Sequence, residues 1–419
     1  DELMKRRDYI RALIFPLAVF LAGIWLAGSG EARASASRGA KHRAPAEPVA
    51  APPAQVTVFD GLAVPFLLQA RAAEMIDQRT GTVLYAFDEH QRMQPASLAK
   101  IVTFFLALDA ISGHSIGLDT RVTISEAAWR LSLDRSVSRM FLRVGDRVAV
   151  RDLLYGLMVS SGNDAAVSLA EYLAGSSAAF AERMNLKARQ LGLGESHFVN
   201  PDGLPAPGEY TTAADMVRLA RLLIEAHPEA LAITATREFR FGNITQPNFN
   251  ALLFHDSRVN GVKTGHVQEA GYHLVASANA DGLMLIAAVL GAPSPFKRWS
   301  ETDKLLDWGF RSFSAVRPDW HKAVPAAVRV YGGAQAEVAV ALEREPYALV
   351  LKGQENKVAL ALALPRRYLV APVSPGVPVG ELSVMVGGKP QSTIALRTAG
   401  AVQPGNFFKR VFDRLLLMF

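Results

Sequence analysis

The 419-residue chain reads as an α+β domain with helices packed on an antiparallel sheet, followed by a small all-β domain and a C-terminal amphipathic helix. Three observations carry that reading. A strand–turn–strand pattern precedes a helix that is apolar on every face. Two strand-like runs return after a series of helical stretches. Beyond about residue 319 the texture changes to short alternating strands separated by Gly, Pro and Asn.

In chain order, Met4–Arg11 is basic, Ala12–Gly28 carries no charge, and small residues follow at Ala32, Ala34 and Ala36. That is the order of a secretory signal peptide, expected over residues 1–36. Residues 37–65, with Pro45, Pro48, Pro52 and Pro53, are expected to form an Ala/Pro-rich linker. The α+β domain is expected over residues 66–318. Within it Glu74–Asp88 reads as two strands about the turn Gln78–Gly81, and Ser97–Ile111 as a buried central helix. Helical patterns follow at Val150–Met158, Asp164–Leu173, Ala178–Gln190 and Ala213–Ala226. Tyr272–Ala278 and Leu283–Leu290 read as strands around Asn279–Gly282, and Lys304–Phe310 as a closing helix. The β-rich domain is expected over 319–399, with strands at Val328–Tyr331, Glu337–Leu342, Ala348–Leu351, Val358–Ala363, Leu382–Val386 and Thr393–Leu396. In residues 404–419, Phe407, Phe408, Val411, Phe412, Leu415, Leu416 and Phe419 recur at helical spacing opposite Lys409, Arg410, Asp413 and Arg414. A basic face against a Phe/Leu face describes a helix lying on an anionic membrane surface, too short to span it.

Composition narrows the function. The formal charge of +6 comes from 45 Lys+Arg against 39 Asp+Glu. Residues 1–43 hold eight basic and four acidic residues, giving +4, and the last sixteen hold three basic and one acidic, giving +2. The body between them is neutral, which disfavours a nucleic-acid partner. Half the residues are hydrophobic, so the chain can bury a core. The absence of cysteine removes disulfides, thiolate metal sites and cysteine nucleophiles. The nine histidines show no metal-ligand spacing, and no phosphate-binding glycine fingerprint occurs. No cofactor and no metal is expected.

What remains is Ser97-Leu98-Ala99-Lys100. Three residues apart on a helix, serine and lysine share one face, where a neutral amine can take the hydroxyl proton and create a nucleophile. The spacing is a weak signal alone: Ser294-Pro295-Phe296-Lys297 repeats it, although the prolines there argue against a helical turn. Ser161-Gly162-Asn163 adds a hydroxyl and an amide in a loop between two helices. Lys263-Thr264-Gly265 lies at a strand start, where threonine and backbone can meet an extended peptide and the glycine permits close approach. These signals follow one another at spacings of 64 and 102 residues.

The ordered triplet S-x-x-K, S-x-N, K-T-G resembles that of penicillin-recognising serine enzymes. Pro95–Lys100, Ser161–Ala165, Asn200–Leu204, Tyr210–Ala213, Gly261–His266 with Ala270–Tyr272, Asp307–Phe310 and Gly405–Phe408 extend the likeness over about residues 66–419. It is to the low-molecular-mass penicillin-binding proteins that act as D-alanyl-D-alanine carboxypeptidases of the S11 peptidase class. The resemblance implies a β-lactamase-like transpeptidase fold. The substrate would be a peptidoglycan stem peptide ending in D-Ala-D-Ala, with β-lactams as covalent inhibitors and the periplasmic face of the inner membrane as location. It assigns Ser97 as nucleophile, Lys100 as base and Ser161 as proton relay. Asn163 would orient the substrate amide, Lys263 would hold the site's electrostatics and Ser161, the backbone N–H groups of Ser97 and His266 would form the oxyanion hole, Thr264 would meet the substrate carboxylate, and Gly265 would also bind substrate. Arg298 stands where a carboxylate-binding arginine is expected, although Ala292–Pro295 departs from the usual glycine-rich run. His266 and His273 side chains are expected to pack or face solvent. Rival readings are a D-alanyl-D-alanine endopeptidase, a class A β-lactamase and a non-enzymatic wall-binding or β-lactam-sensing module. The β-lactamase would need Asp in place of Gly162 and an E-x-x-L-N stretch, and neither occurs. A homodimer on the membrane is left open.

Overall fold

The computed structural model describes residues 56–418. The expected signal peptide and the first part of the linker lie outside the described residues. An antiparallel six-stranded sheet organises the catalytic domain, in the spatial order Val56–Val58, Val83–Phe87, Ala72–Asp77, Leu283–Ala292, Gly271–Ala280, Val259–Val267. The apolar run Leu283–Leu290 does not alternate with polar residues because both faces of the sheet are covered. Ile286, Ala288 and Leu290 join the larger core, built on the helices Lys100–Ser112, Val150–Met158, Asn163–Ala174, Ser177–Gln190 and Ala213–Ala226. Leu285, Ala287 and Val289 point to a second core under the helix Pro295–Ser312. The period-2 geometry of a strand thus feeds two cores from one segment.

The expected helices and strands of this domain recur with small boundary shifts, and four differences have physical reasons. Val56–Val58 lies inside the expected linker yet pairs with Tyr85–Phe87. The proline-rich composition stops at Pro53, and Val58, Phe59, Leu62, Val64 and Phe66 pack against the second core. The central helix begins at Lys100, preceded by a 3-10 turn over Ala96–Ala99 that carries Ser97. Ser294-Pro295 starts a helix rather than forbidding one, and the expected closing helix Lys304–Phe310 is only the C-terminal part of Pro295–Ser312. Ser294 Oγ accepts the Lys297 N–H as N-cap and Pro295 occupies the first turn, where its missing N–H costs nothing. Short strands at Arg121–Thr123, Arg147–Ala149, Glu238–Phe241 and Ile244–Pro247 complete the domain and are not readable from alternation.

The β-rich domain carries a six-stranded sheet in the order Val358–Ala363, Pro378–Val386, Lys389–Thr398, Glu337–Leu342, Ala327–Tyr331, Tyr368–Val370. Ala348–Leu351 leaves that sheet to pair with Phe313–Val316, upstream of the expected boundary at 319. This pair stitches the two domains: Phe313, Tyr347 and Leu349 belong to the second catalytic core. There the Tyr347 hydroxyl donates to Asp77 Oδ1 at 2.7 Å, while Asp77 Oδ2 accepts from Thr80. The C-terminal helix spans Phe407–Leu416, capped by Asn406. Its buried Asp413 accepts the Gly332 N–H at 2.6 Å, and Phe407, Phe408, Phe412 and Leu415 remain exposed. Among the described residues no helix is long and apolar enough to cross a membrane.

Substituting Tyr347→Phe leaves fully buried Asp77 short of one donor. Urea unfolding is expected to show a loss of about 1–3 kcal/mol with penicillin labelling unchanged; a stability equal to wild type would deny this bond its role at the domain junction.

Candidate active site

The Ser97 turn opens onto a cleft of about 650 Å³. Lys100 is fully buried, and its Nζ lies 2.9 Å from Ser97 Oγ, 2.6 Å from Asn163 Oδ1 and 2.6 Å from the Asp202 carbonyl oxygen. Three chain segments far apart in sequence therefore converge on one nitrogen. Burial lowers the Lys100 pKa to about 8, against the opposing pull of Asp202, Asp164 and Glu209.

Local backbone explains the convergence. Ala96 takes φ 50° ahead of Ser97, and Ser161 takes φ 55° ahead of the Asn163 helix. Gly203, at φ 75°, passes so near the Ser97 turn that a Cβ there would sit 1.8 Å from the Ala96 carbonyl oxygen. The buried Asp164 accepts from the Met140 and Leu142 N–H groups and from Ser132 Oγ. It thereby ties the Ser161–Asn163 loop to the segment that forms the opposite rim, where Ser136 and Ser138 line the cleft.

The other wall is the strand Val259–Val267, the last of the sheet, whose free edge can accept an extended peptide. Lys263-Thr264-Gly265 sits in the middle of this strand rather than at its start. A Cβ on Gly265 would lie 3.0 Å from the Pro95 carbonyl oxygen, which is the close approach the glycine permits. Lys263 is buried and donates to the Thr264 carbonyl at 3.1 Å; no hydrogen bond joins it to Ser161 among the described residues. Burial, then Lys100 and then Arg298, hold its pKa well below the usual lysine range.

Arg298 reaches the cleft from the helix Pro295–Ser312. One terminal nitrogen donates to the Phe249 carbonyl at 3.1 Å, and the buried Nε has no partner. Desolvation draws its pKa down to about 10, so the guanidinium remains charged and short of an anion. His266 stacks on Tyr272, with ring centroids 3.9 Å apart, at the exposed rim. His273 is wholly buried: Nδ1 accepts the Gly291 N–H and Nε2 donates to the Gln94 carbonyl. Burial depresses its pKa to about 4, so it is a neutral brace beneath the Ser97 turn.

All nine sequence candidates lie at or directly behind this cleft. Two participants escaped sequence reasoning. Asp202 supplies a backbone acceptor, which no side-chain pattern reveals. Glu209 is buried, and burial raises its pKa to about 8 against the opposing pull of the Val199 backbone. Among the described residues no group of side chains has metal-binding geometry.

Comparison with known proteins agrees with this geometry. The D-alanyl-D-alanine carboxypeptidase family, peptidase S11, matches residues 62–294, and the C-terminal domain of penicillin-binding protein 5 matches residues 320–404. D-alanyl-D-alanine carboxypeptidase DacC of Escherichia coli is 38% identical over 355 residues, covering 84% of this chain and 89% of that protein. Penicillin-binding protein 5 from Haemophilus influenzae superposes with a TM-score of 0.69 at 34% identity, over 81% of this chain and 99% of that one. Penicillin-binding protein D2 from Listeria monocytogenes, in its cefotaxime-bound form, gives 0.54 at 31% identity over 58% of this chain and 100% of that one. The fold is that of a penicillin-binding protein. The chain belongs to the S11 family of D-alanyl-D-alanine carboxypeptidases.

Gly203→Ala forces the Ser97 turn to move. Acylation by a fluorescent penicillin is expected to slow on the order of 100-fold, the scale of an ångström-level misplacement of reacting groups; an unchanged rate would show that the turn tolerates the added methyl.

Proposed function

We propose that the protein is a serine-type D-Ala-D-Ala carboxypeptidase that trims the terminal D-alanine from peptidoglycan stem pentapeptides. The observation that carries the mechanism is the set of three partners around Lys100 Nζ. Protonated, Lys100 Nζ donates to Ser97 Oγ, Asn163 Oδ1 and the Asp202 carbonyl; once neutral, it keeps two donors for Asn163 and Asp202 and turns its lone pair to the Ser97 hydroxyl. Lys100 takes the Ser97 proton as Oγ attacks the carbonyl of the penultimate D-alanine. Negative charge on the carbonyl oxygen develops toward the backbone N–H groups of Ser97 and His266. The C–N bond then breaks, Ser161 relays the proton from Lys100 to the leaving amine, and terminal D-alanine departs. Water hydrolyses the acyl-enzyme.

The substrate lies along the free edge of Val259–Val267, and Asn163 orients its amide. Thr264 and Arg298 receive the terminal carboxylate, which supplies the anion that the desolvated guanidinium lacks. Lys263 supports the anionic path through its field rather than by a bond to Ser161. A β-lactam entering the same cleft acylates Ser97 and is released slowly.

The exposed aromatic face of Phe407–Leu416, with its basic flank, supports peripheral attachment to an anionic membrane on the exported side of the cell. An endopeptidase reading ranks second; cleavage of cross-linked dimers faster than of pentapeptides would favour it.

Three outcomes test the proposal. Ser97→Ala abolishes both D-alanine release and penicillin labelling; release by that variant would displace Ser97 as nucleophile. Lys100 is protonated below its depressed pKa and becomes a base above it, so the acylation rate rises as pH passes through about 8. A rate that is flat from slightly acid to alkaline pH would reject Lys100 as base. In sedimentation with anionic phospholipid vesicles, replacing Phe408 and Phe412 by serine should weaken binding at least about tenfold, from the lost apolar burial. Equal binding would move the anchor elsewhere.

A further inference from the structure

A second cavity, of about 500 Å³, lies in the catalytic domain and shares no lining residue with the Ser97 cleft. Its lining is bipolar. One lining residue is Glu74, from the central strand Ala72–Asp77, only 7% exposed and, among the described residues, with no hydrogen bond to its carboxylate. The neighbouring acids are already engaged. His90 lies 2.6 Å from Glu195 and 3.6 Å from Glu89, and Asp215 accepts the Glu195 N–H and the Ser196 hydroxyl. Glu74 alone among these four carboxylates is left without a partner. A buried carboxyl with no donor is costly unless it is neutral or a cation comes to it.

The same cavity is lined by Arg218 and Arg221, three apart on the helix Ala213–Ala226. Each is fixed through its Nε to a backbone carbonyl: Arg218 to Leu191 at 2.6 Å, Arg221 to Gln78 at 2.8 Å. Two glycines let the guanidinium groups lie flat over the loops. A Cβ on Gly192 would sit 2.9 Å from Arg218, and one on Gly81 would sit 3.1 Å from Arg221, both at positive φ. The terminal nitrogens are left with little: the Arg221 group comes no nearer than 3.8 Å to Glu225.

We propose that this cavity binds a small zwitterion, an amino acid or short peptide with a free ammonium and a free carboxylate. The ammonium meets Glu74 and the carboxylate meets Arg218 and Arg221. A metal ion is disfavoured, since no group of three acidic or histidine side chains among the described residues has the required geometry. A simple anion leaves Glu74 unmatched, and a simple cation leaves the arginines unmatched. Burial and the nearby Glu89 and Asp215 raise the Glu74 pKa to about 7, with His90 opposing. The other groups facing the cavity are Glu195 and the two arginines, so an arriving ammonium ionises Glu74 and expels its proton near neutral pH. This site is independent of the reaction assigned to Ser97.

Isothermal titration calorimetry on the full chain tests it, with D-alanine and glycylglycine as zwitterions, ethylamine as cation and propionate as anion. The zwitterions are expected to bind with Kd on the order of 1 mM, and at neutral pH the measured heat should vary with the ionisation enthalpy of the buffer as Glu74 loses its proton. Glu74→Gln and Arg221→Gln should each weaken binding about tenfold, Glu74→Gln should abolish proton release, and both should retain penicillin labelling. The proposal fails if ethylamine or propionate binds as well as the zwitterions, or if no zwitterion binds at about 10 mM. It fails equally if variants that still label bind as wild type does, which would place the ligand in the Ser97 cleft.

Discussion

A buried amine is the constraint on which the site depends. Lys100 has no exposure to solvent, so each polar capacity of its nitrogen must be met by protein. Those partners come from the turn before its own helix, from the start of a helix 63 residues later, and from a backbone carbonyl 102 residues later. Holding three segments to hydrogen-bond tolerance at one atom requires rigid supports behind each. The central helix is packed on all sides, Asp164 gathers backbone donors behind Asn163, and Gly203 lets its loop lie directly on the nucleophile turn. Removing any support leaves the buried amine short of a partner, which couples stability to catalytic geometry.

The electrostatics follow the same plan. Lys100, Lys263 and Arg298 place three basic groups behind or around one cleft, and the buried acids Asp202 and Glu209 both have raised pKa values through desolvation. Raised pKa values make these acids weaker counter-charges, which suits an anionic substrate terminus and an oxyanion. Water would screen this arrangement; burial preserves it.

The sequence conveyed side-chain chemistry and periodicity well, and backbone-borne features poorly. Helices such as Val150–Met158 and Ala213–Ala226 were legible because one polar or apolar stripe repeats every turn, and the Ser97, Ser161 and Lys263 motifs because their spacing is distinctive. The helix start at Ser294–Pro295 is hidden because proline breaks helices in their interior yet is preferred in their first turn. The Asp202 acceptor is a carbonyl that any residue could supply. Tyr347 and Asp77 meet only after 270 residues of chain, so neither carried a signal in its own neighbourhood. Glu74 lay in a strand whose apolar neighbours were read correctly, and only its burial without a donor distinguishes it.

The left-handed backbone at Ala96 and Ser161 has a further consequence. Neither residue is glycine, and each position carries a steric cost on the order of 1 kcal/mol that the surrounding packing must hold in place. Glycine at either position would relieve the strain, yet it would also free the turn that aims Ser97 or the loop that carries Asn163. Random selection for thermal tolerance should therefore favour substitutions there that blunt the enzyme, so durability and turnover pull the same two codons in opposite directions.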